Sequence, residues 1–301
     1  MKNNYQLDFS SDKQLEVLIS NKENEKKFLT NQEDVIKFLE CHEKKNGVVS
    51  SREISYFTSN QGKVKELQGM ISGNTSLSNL SKERISIVVS GSPIDVEEDQ
   101  DTYIGNAIKK ANAYSSLTDN PILVEDSGFH VPDFGKHSPD VFSARYSSLY
   151  RGELVNFISN HNHVLQFYNN SLDKKTKCLI NKLCLIMNGI MLGFEGQTVK
   201  AQFITLATIK SHNSIFYGSG VLNGLIKIPY LQEFNNPDWL SKHYDETGYN
   251  SLFLLVERNR IRRYSNLTAY ERSGVNNNHR SMAYCEAISR FLVSAASENM
   301  K

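Results

Sequence analysis

The sequence predicts an α/β protein, and two observations lead to this class. From Glu53 onward, short β-prone apolar runs alternate with segments whose apolar residues recur at helical spacing, which is the pattern of an α/β sheet. The chain has 301 residues, enough to bury a sizeable core. Aromatic residues make up 10% of the chain and charged residues 22%, a composition that excludes disorder of the whole chain.

Each predicted element rests on its local pattern. Short apolar runs indicate strands, and apolar residues three and four apart indicate helices. The predicted strands are at 54–57, 85–89, 122–124, 203–209, 215–217 and 252–256. Helices are predicted at 64–71, 107–113, 154–167 and 282–293, and 179–191 reads as an apolar helix or strand. The polar turn at 211–214 predicts a hairpin between two of the strands.

The first 50 residues differ from the rest of the chain. They are polar, rich in Lys, Asn and Glu, and carry only weak helical spacing. One or two small amphipathic helices joined by a charged linker, or a tail without regular structure, would both fit this composition. We therefore predict a polar, partly helical extension at 1–50 and a main domain at 51–301 with an insertion near 150–178.

Charge and composition restrict the partners. With 34 Lys and Arg against 33 Asp and Glu, long-range attraction to nucleic acid or to an anionic membrane cannot be the main source of affinity, although a local basic patch would still be compatible with this balance. We expect no nucleic-acid and no membrane partner. The four cysteines form no C-x-x-C pair, and the chain start lacks the apolar core of a signal peptide, so a reducing, cytoplasmic location is expected.

The turn after the first predicted strand could bind phosphate. It contains Thr58, Ser59, Asn60 and Lys63 just before and within the start of a helix. Unpaired amides, the helix dipole and the Lys63 ammonium would all favour an anion there. The spacing is not that of a Walker A loop, and an ordinary capped turn explains the same residues.

Two acidic segments could bind a cation. Glu125 and Asp126 come directly after an apolar strand, and adjacent carboxylates at a strand end are costly unless a cation or donors receive them. Magnesium with a phosphate substrate is the usual recipient. The acidic run at 97–101 could supply a third ligand. The ordinary alternatives are an exposed capping turn for the pair and a solvated loop for the run.

Two further segments can be interpreted as functional or as ordinary structural features. His279 and Arg280, just before the predicted last helix, could read a base or bind phosphate, because Arg presents a rigid fork of donors. They could equally be an ordinary exposed pair. Gly218-Ser219-Gly220 looks like part of a dinucleotide loop, but its spacing is wrong and a β-rich segment surrounds it, so we set it aside.

In order along the chain, these segments resemble the motifs of the inosine triphosphate pyrophosphatase family. The resemblance covers roughly residues 53 to 293. The matching stretches are 57–63 (FTSNQGK), 98–111 (EDQDTYIGNAIKKA), 124–128 (VEDSG), 142–146 (FSARY), 248–253 (GYNSLF) and 278–283 (NHRSMA).

The resemblance implies a long twisted mixed β-sheet with flanking helices that form two lobes around a nucleotide cleft. It also implies Mg²⁺-dependent hydrolysis of ITP, dITP or XTP to monophosphate and pyrophosphate. Carried over residue by residue, it gives three sets. The catalytic set is Asp126, Glu125 and Lys63. The metal set is Glu98, Asp126 and Glu125. The substrate-binding set is Thr58, Ser59, Asn60, Lys63, Ser127, Gly128, Arg145, Gly248, Tyr249, Asn250, His279 and Arg280.

The sequence departs from the family pattern in the half that reads the base. Thr247 stands where the family usually has an aromatic, Asn250 replaces an Asp, and Gly274 stands where a Lys is usual. Gly105 also replaces the Glu of E-N-A. A second hypothesis is therefore a catalytically weakened dITP sensor that regulates a partner effector. A looser resemblance to the nucleotide-sensing subunits of Kongming-type anti-phage systems, whose partner destroys NAD, supports it. The expected assembly is a homodimer or a hetero-complex with such an effector.

Overall fold

The computed structural model describes residues 52–58, 60–72, 85–90, 94–159, 173–234, 236–245, 248–257, 260–268, 271–272 and 278–298. These ranges contain a seven-stranded sheet with the order β2-β1-β3-β4-β5-β6-β7. The strands are β1 (Arg52–Phe57), β2 (Ile85–Ser90), β3 (Ile122–His130), β4 (Thr198–Ser211), β5 (Ser214–Lys227), β6 (Phe253–Glu257) and β7 (Arg260–Arg263). Strand β1 pairs parallel with β2 and β3, whereas β6 pairs antiparallel with β5 and β7. The predicted mixed α/β sheet is therefore confirmed.

The described ranges also contain α-helices. They are α1 (Gln61–Ser72), α2 (Tyr103–Tyr114), α3 (Tyr146–Leu149), α4 (Arg151–Ser159), α5 (Lys174–Met191), α6 (Leu231–Phe234), α7 (Pro237–His243) and α8 (His279–Glu298). Short 3-10 helices lie at Pro132–His137 and Tyr264–Asn266. Local capping explains two of the starts. Thr102 accepts a hydrogen bond from the Gly105 amide before α2, and Asp173 accepts one from the Thr176 amide before α5.

Most predicted elements are found, with changes at their ends. The segment 179–191 is helical, and the hairpin turns at His212 and Asn213 between β4 and β5. Strand β3 does not end at the acidic pair as predicted, because it runs on to His130. Phe129 and Val131 are fully buried beyond the pair, so the packing that holds the strand continues past it. Glu125 and Asp126 thus lie inside a strand.

The chain divides into two compact units. Unit 1 comprises residues 1–126, 205–220 and 273–301, and unit 2 comprises 127–204 and 221–272. The main core of unit 1 packs α1 and α8 onto β1, with Leu67, Met70, Tyr284 and Phe291 among its buried residues. The core of unit 2 packs α5 onto strand residues such as Phe203. Each unit therefore has its own hydrophobic core.

Several expectations lie outside the described ranges. They are the extension at 1–50, residues 160–172 of the expected insertion and of the helix predicted at 154–167, and Ser59, Thr247 and Gly274. Helix α4 covers the part of that insertion that precedes 160. Among the helices of the described ranges, none combines the length and the apolar character that a membrane crossing needs.

Candidate functional site: a buried acid–base cluster

Seven charged side chains of unit 1 form an acid–base cluster of two ion-paired groups. The groups meet at Glu125, whose carboxylate pairs with Lys63 and Arg280 and whose carbonyl oxygen accepts a hydrogen bond from Lys110. The bases of the cluster are Lys63, Lys110 and Arg280, and its acids are Glu66, Glu98, Glu125 and Asp126. Helices α1, α2 and α8, strand β3 and the loop before α2 supply them. With every group ionised, four acids and three bases leave a net charge of −1. Glu125 and Asp126 are almost fully buried, and charges buried in this way persist only when they are paired.

Glu125 lies at the centre of the cluster. Its side chain is 2% exposed, and one carboxylate oxygen, Oε1, lies 2.6 Å from Lys63 Nζ. The other, Oε2, lies 3.2 Å from Arg280 Nε but accepts no hydrogen bond from any described residue. Burial alone would raise the pKa of Glu125, but Lys63 and Arg280 outweigh it and hold that pKa at about 2. Glu125 is therefore a carboxylate at neutral pH.

Asp126 has a different environment from its neighbour. Its Oδ2 accepts a hydrogen bond of 3.0 Å from the Asn106 amide, and its Oδ1 lies 3.4 Å from Lys110 Nζ. The same ammonium lies 2.5 Å from Glu98 Oε1 and donates to the Glu125 carbonyl oxygen at 3.1 Å. Burial first, and the Glu98 charge as well, raise the pKa of Asp126 above its ordinary value, against the opposing effect of Lys110. Two adjacent carboxylates thus have pKa values moved in opposite directions.

Arg280 is held by acids on two elements. Its Nη1 donates to Glu66 Oε2 at 3.0 Å, and its Nε donates to Glu125 Oε1 at 3.3 Å. Asn278 caps α8, since its Oδ1 accepts from the amides of Arg280 and Ser281 and its Nδ2 donates to Glu66. His279 and Arg280 therefore belong to the first turn of α8, not to the segment before it as predicted.

His279 is enclosed rather than open to a ligand. It is 3% exposed, and its Nδ1 lies 2.6 Å from the Thr205 hydroxyl. Burial, and next the Arg280 charge, lower its pKa well below the ordinary value, so the imidazole is neutral at pH 7. Gly220 permits this arrangement, because a Cβ there would lie 1.8 Å from the His279 carbonyl oxygen. The Gly218-Ser219-Gly220 segment is thus explained by close packing of α8, and a ligand loop is not needed.

The predicted phosphate turn is a well-capped helix start. Asn60 Oδ1 accepts from the Gly62 amide, the Asn60 carbonyl accepts from the Lys63 amide, and the Asn60 amide donates to Thr58 Oγ1. These three amides already have partners, so they do not offer the anion site that we expected from unpaired amides. The Lys63 ammonium of this turn is 18% exposed and pairs with Glu125.

Unit 2 carries the other predicted substrate-binding residues. Tyr249 is 5% exposed, its ring stacks on Phe129 at 4.7 Å, and its hydroxyl donates to the Ser143 carbonyl oxygen at 3.1 Å. Its side chain is therefore a core group, and a ligand contact from this residue would have to come from its backbone. Arg145 stacks over the Phe142 ring, with Cζ 5.0 Å from the ring centre.

Four further residues of the predicted set also belong to unit 2: Gly248, Asn250, Ser127 and Gly128. Gly248 has a left-handed backbone, with φ of 59°, a conformation that glycine adopts readily. Asn250, two residues after Gly248, is partly buried. Ser127 and Gly128 continue strand β3 directly after Asp126. The structure thus places Lys63, Arg280 and the three predicted acids together in unit 1, and places Arg145 and these backbone positions in unit 2.

The donor set can be tested against magnesium. No group of three or more His, Cys, Asp or Glu side chains in the described ranges is arranged to hold a metal ion. Mg²⁺ is usually held by one or two carboxylates together with substrate phosphates. Glu98 and Asp126 fit that pattern, since both already share one cation, the Lys110 ammonium. Glu125 fits less well, because Lys63 and Arg280 neutralise it.

Sequence reasoning missed two members of the cluster, Lys110 and Glu66, and the uncharged Asn106 that donates to Asp126. Asn106 and Lys110 lie four residues apart and so share one face of α2, from which both reach Asp126. Glu66 lies three residues after Lys63 on α1, a spacing that likewise places the two on one face. This spacing was the available signal. Gly105, a departure from the family pattern, has a steric reason, because a Cβ there would lie 2.9 Å from Gln100 Cβ and from Thr102 Oγ1.

The mixed α/β sheet and the buried acid–base cluster define an α/β protein with a polar site. The chain belongs to the Ham1 family, whose model matches residues 54–289. The predicted family is thereby confirmed.

Individual proteins are similar over shorter stretches. A dITP/XTP pyrophosphatase of Clostridium tetani is 30% identical over 143 residues, which are 46% of this chain and 66% of the relative. One of Legionella pneumophila is 37% identical over 98 residues, 33% of this chain and 45% of the relative. The chain thus matches about half to two thirds of the length of these relatives. The Ham1 protein of Staphylococcus aureus is 20% identical, with a TM-score of 0.48, covering 81% of this chain and all of that one.

Proposed function

We propose that this protein hydrolyses deaminated purine nucleoside triphosphates, such as dITP, ITP or XTP, to the monophosphate and pyrophosphate. The observation that carries the proposal is the pairing of two buried carboxylates with opposite pKa shifts beside three bases in one cluster. The names of the relatives that match part of the chain support the substrate class.

Asp126 would act as the general base. A base works best when its pKa lies near the working pH, and burial moves the pKa of Asp126 upward. It would accept a proton from the water whose oxygen attacks the α-phosphorus. The bond from that phosphorus to the bridging oxygen breaks, and pyrophosphate leaves. The Asn106 amide, 3.0 Å from Oδ2, would fix the orientation of this carboxylate.

Glu98 and Asp126 would hold Mg²⁺, in place of the three-carboxylate set first expected. When bound, the ion would neutralise phosphate charge and polarise the phosphoryl oxygens. Lys63 would bind the triphosphate. Each of the two cluster lysines is already held by a carboxylate, so an incoming triphosphate has to compete with those carboxylates for them.

Two candidates for base recognition lie in different units: Arg280 in unit 1, and the backbone of Gly248, Tyr249 and Asn250 in unit 2. Arg280 is 19% exposed and engaged by Glu66 and Glu125, so its donors have fixed directions. A fixed donor rejects an analogue that lacks its acceptor far better than an apolar pocket does. Deaminated purines carry a 6-oxo acceptor, which adenine lacks.

The test is release of pyrophosphate and monophosphate from dITP, ITP, XTP, dATP and dGTP with Mg²⁺. We expect turnover of the deaminated nucleotides, and loss of turnover in Asp126→Asn with nucleotide binding retained. Asp119→Asn is the matched control, because Asp119 is exposed on the same unit. Wild-type turnover in Asp126→Asn would show that Asp126 is not the base.

A dITP sensor that regulates a partner protein is the second candidate. The observation in its favour is the neutral Asn250 and Ser251 in the 248–253 stretch, where the family pattern has Asp and Pro. The two candidates differ in one measurement. Tight dITP binding without turnover at high protein concentration favours the sensor, and ordinary turnover favours the enzyme.

A further inference from the structure

Unit 2 contains a fully buried ammonium that the proposed chemistry does not use. Lys182 lies on α5 with its side chain 0% exposed, among core residues such as Leu183 and Leu179. Its Nζ donates to the His243 carbonyl oxygen at 2.8 Å and to Asp245 Oδ2 at 2.9 Å. An apolar residue at such a position is commonly at least as stabilising as a buried ion pair. The ammonium therefore calls for an explanation other than stability.

A second cation reaches the same segment from the other side. Arg263, on β7, donates through Nη1 to the Ser251 carbonyl oxygen at 2.9 Å. The same Nη1 lies 3.1 Å from His243 Nε2. His243 Nδ1 lies 2.7 Å from the Trp239 carbonyl oxygen, which can only accept, so the proton is on Nδ1 and Nε2 accepts from Arg263. The two cations thus meet at His243.

Gly248, Tyr249 and Asn250 lie in the chain between the residues that Lys182 contacts and the Ser251 carbonyl that Arg263 contacts. Lys182 holds residues 243 and 245 before them, and Arg263 holds residue 251 after them. The Asn250 carbonyl accepts from the Ser265 amide at 3.3 Å, and the Tyr249 carbonyl accepts from the amides of residues 252 and 253. The bonds to the Tyr249, Asn250 and Ser251 carbonyls act directly on the main chain of this stretch, and Lys182 holds residues 243 and 245 before it.

We propose that Lys182 is a positioning residue that, together with Arg263, holds the backbone of residues 248–250 in the conformation that receives the purine base. The proposal rests on the proposed function for its substrate. The hydrogen bonds of Lys182 go to residues 243 and 245 of unit 2, and the acid–base cluster lies in unit 1. The loss of Lys182 should therefore weaken nucleotide binding and leave the chemical step nearly unchanged.

The first measurement needs no nucleotide. Amide hydrogen exchange at residues 252 and 253 of the full chain reports whether their bonds to the Tyr249 carbonyl open. We expect Lys182→Met to speed this exchange roughly tenfold, and Asp245→Asn to speed it less. Lys227→Met is the control, since Lys227 is an exposed lysine of the same unit, 3.9 Å from Glu233. If Lys182→Met does not fold, Asp245→Asn decides, because Asp245 is 29% exposed.

The second measurement is dITP hydrolysis by the same variants. We expect KM to rise roughly tenfold in Lys182→Met with kcat within about threefold of wild type, and no change in Lys227→Met. Exchange no faster than in the control, or a fall in kcat at unchanged KM, would overturn the proposal. If the wild-type protein neither binds nor hydrolyses dITP, the proposed function fails, and the exchange measurement still decides whether Lys182 anchors the segment.

Discussion

Replacing Glu125 by Gln removes the charge at the centre of the cluster while keeping its shape. The folded protein holds the pKa of Glu125 at about 2, against an ordinary value of 4.5. Each pKa unit corresponds to about 1.4 kcal/mol, so ionised Glu125 contributes about 3 kcal/mol to stability at neutral pH. With the side chain 2% exposed, solvent screening takes little from this value.

The sign of the effect follows from proton binding. A carboxylate with a depressed folded-state pKa binds fewer protons in the folded than in the unfolded chain, so its contribution is full above pH 4.5 and is lost as the pH falls towards 2. Asp126, whose pKa is raised, acts in the opposite direction. Wild type and Glu125→Gln both contain Asp126. The difference between their free energies of unfolding therefore isolates the contribution of Glu125 to a first approximation.

Urea unfolding across pH measures this difference. We expect Glu125→Gln to be about 3 kcal/mol less stable than wild type at pH 7, with the gap closing between about pH 5 and pH 2. Glu257→Gln is the control, because Glu257 is one-third exposed and lies 3.8 Å from Arg262. It should change stability by less than about 1 kcal/mol. A loss in Glu125→Gln no larger than in this control, with an unchanged pH slope, would refute the reasoning.

Three further predictions concern other parts of the two units. Gly220→Ala places a Cβ 1.8 Å from the His279 carbonyl oxygen, so unfolding in urea should show a loss of about 1–3 kcal/mol or more. Asn106→Ala removes a bond to ionised Asp126, so the acidic limb of the pH–rate profile for dITP hydrolysis should move to higher pH. His243 has its pKa lowered to about 4 by burial, so stability should fall as the pH drops from 6.5 towards 4, and His243→Gln should flatten that dependence in urea unfolding.

The α/β class could be predicted because apolar spacing is local. Strand β1 and helix α1 both appear where their patterns predict them. The end of β3 could not be predicted, because the apolar run stops at Glu125 while Phe129 is buried further along. Charged residues inside a strand interrupt the apolar pattern of the sequence. Side chains from segments distant in the sequence can nevertheless pair with them. Here those partners come from α1, α2 and α8.

The sequence analysis named five of the seven residues of the acid–base cluster, but it did not predict which acid pairs with which base. Glu98, Glu125 and Asp126 were expected to share one metal, since like charges at adjacent positions suggest a common cation. In the structure Glu125 pairs with Lys63 and Arg280, and Glu98 and Asp126 pair with Lys110. Which base meets which acid depends on the helix faces that the fold brings together, and motif order contains no such information.

The pairing also explains why the acid–base cluster contains both acids and bases. A site for a triphosphate needs cations, and a site for Mg²⁺ needs carboxylates, but either set alone would be costly to bury. Placing Lys63 against Glu125 and Lys110 against Glu98 satisfies both before any ligand arrives. A phosphate then has to compete with the Glu125 carboxylate, 2.6 Å from Lys63 Nζ, for the Lys63 ammonium. Glu125→Gln should therefore bind triphosphate more tightly per folded molecule, although it lowers the stability of the protein. Calorimetric titration with dITP measures this affinity, and a loss of affinity in the variant would contradict the reasoning.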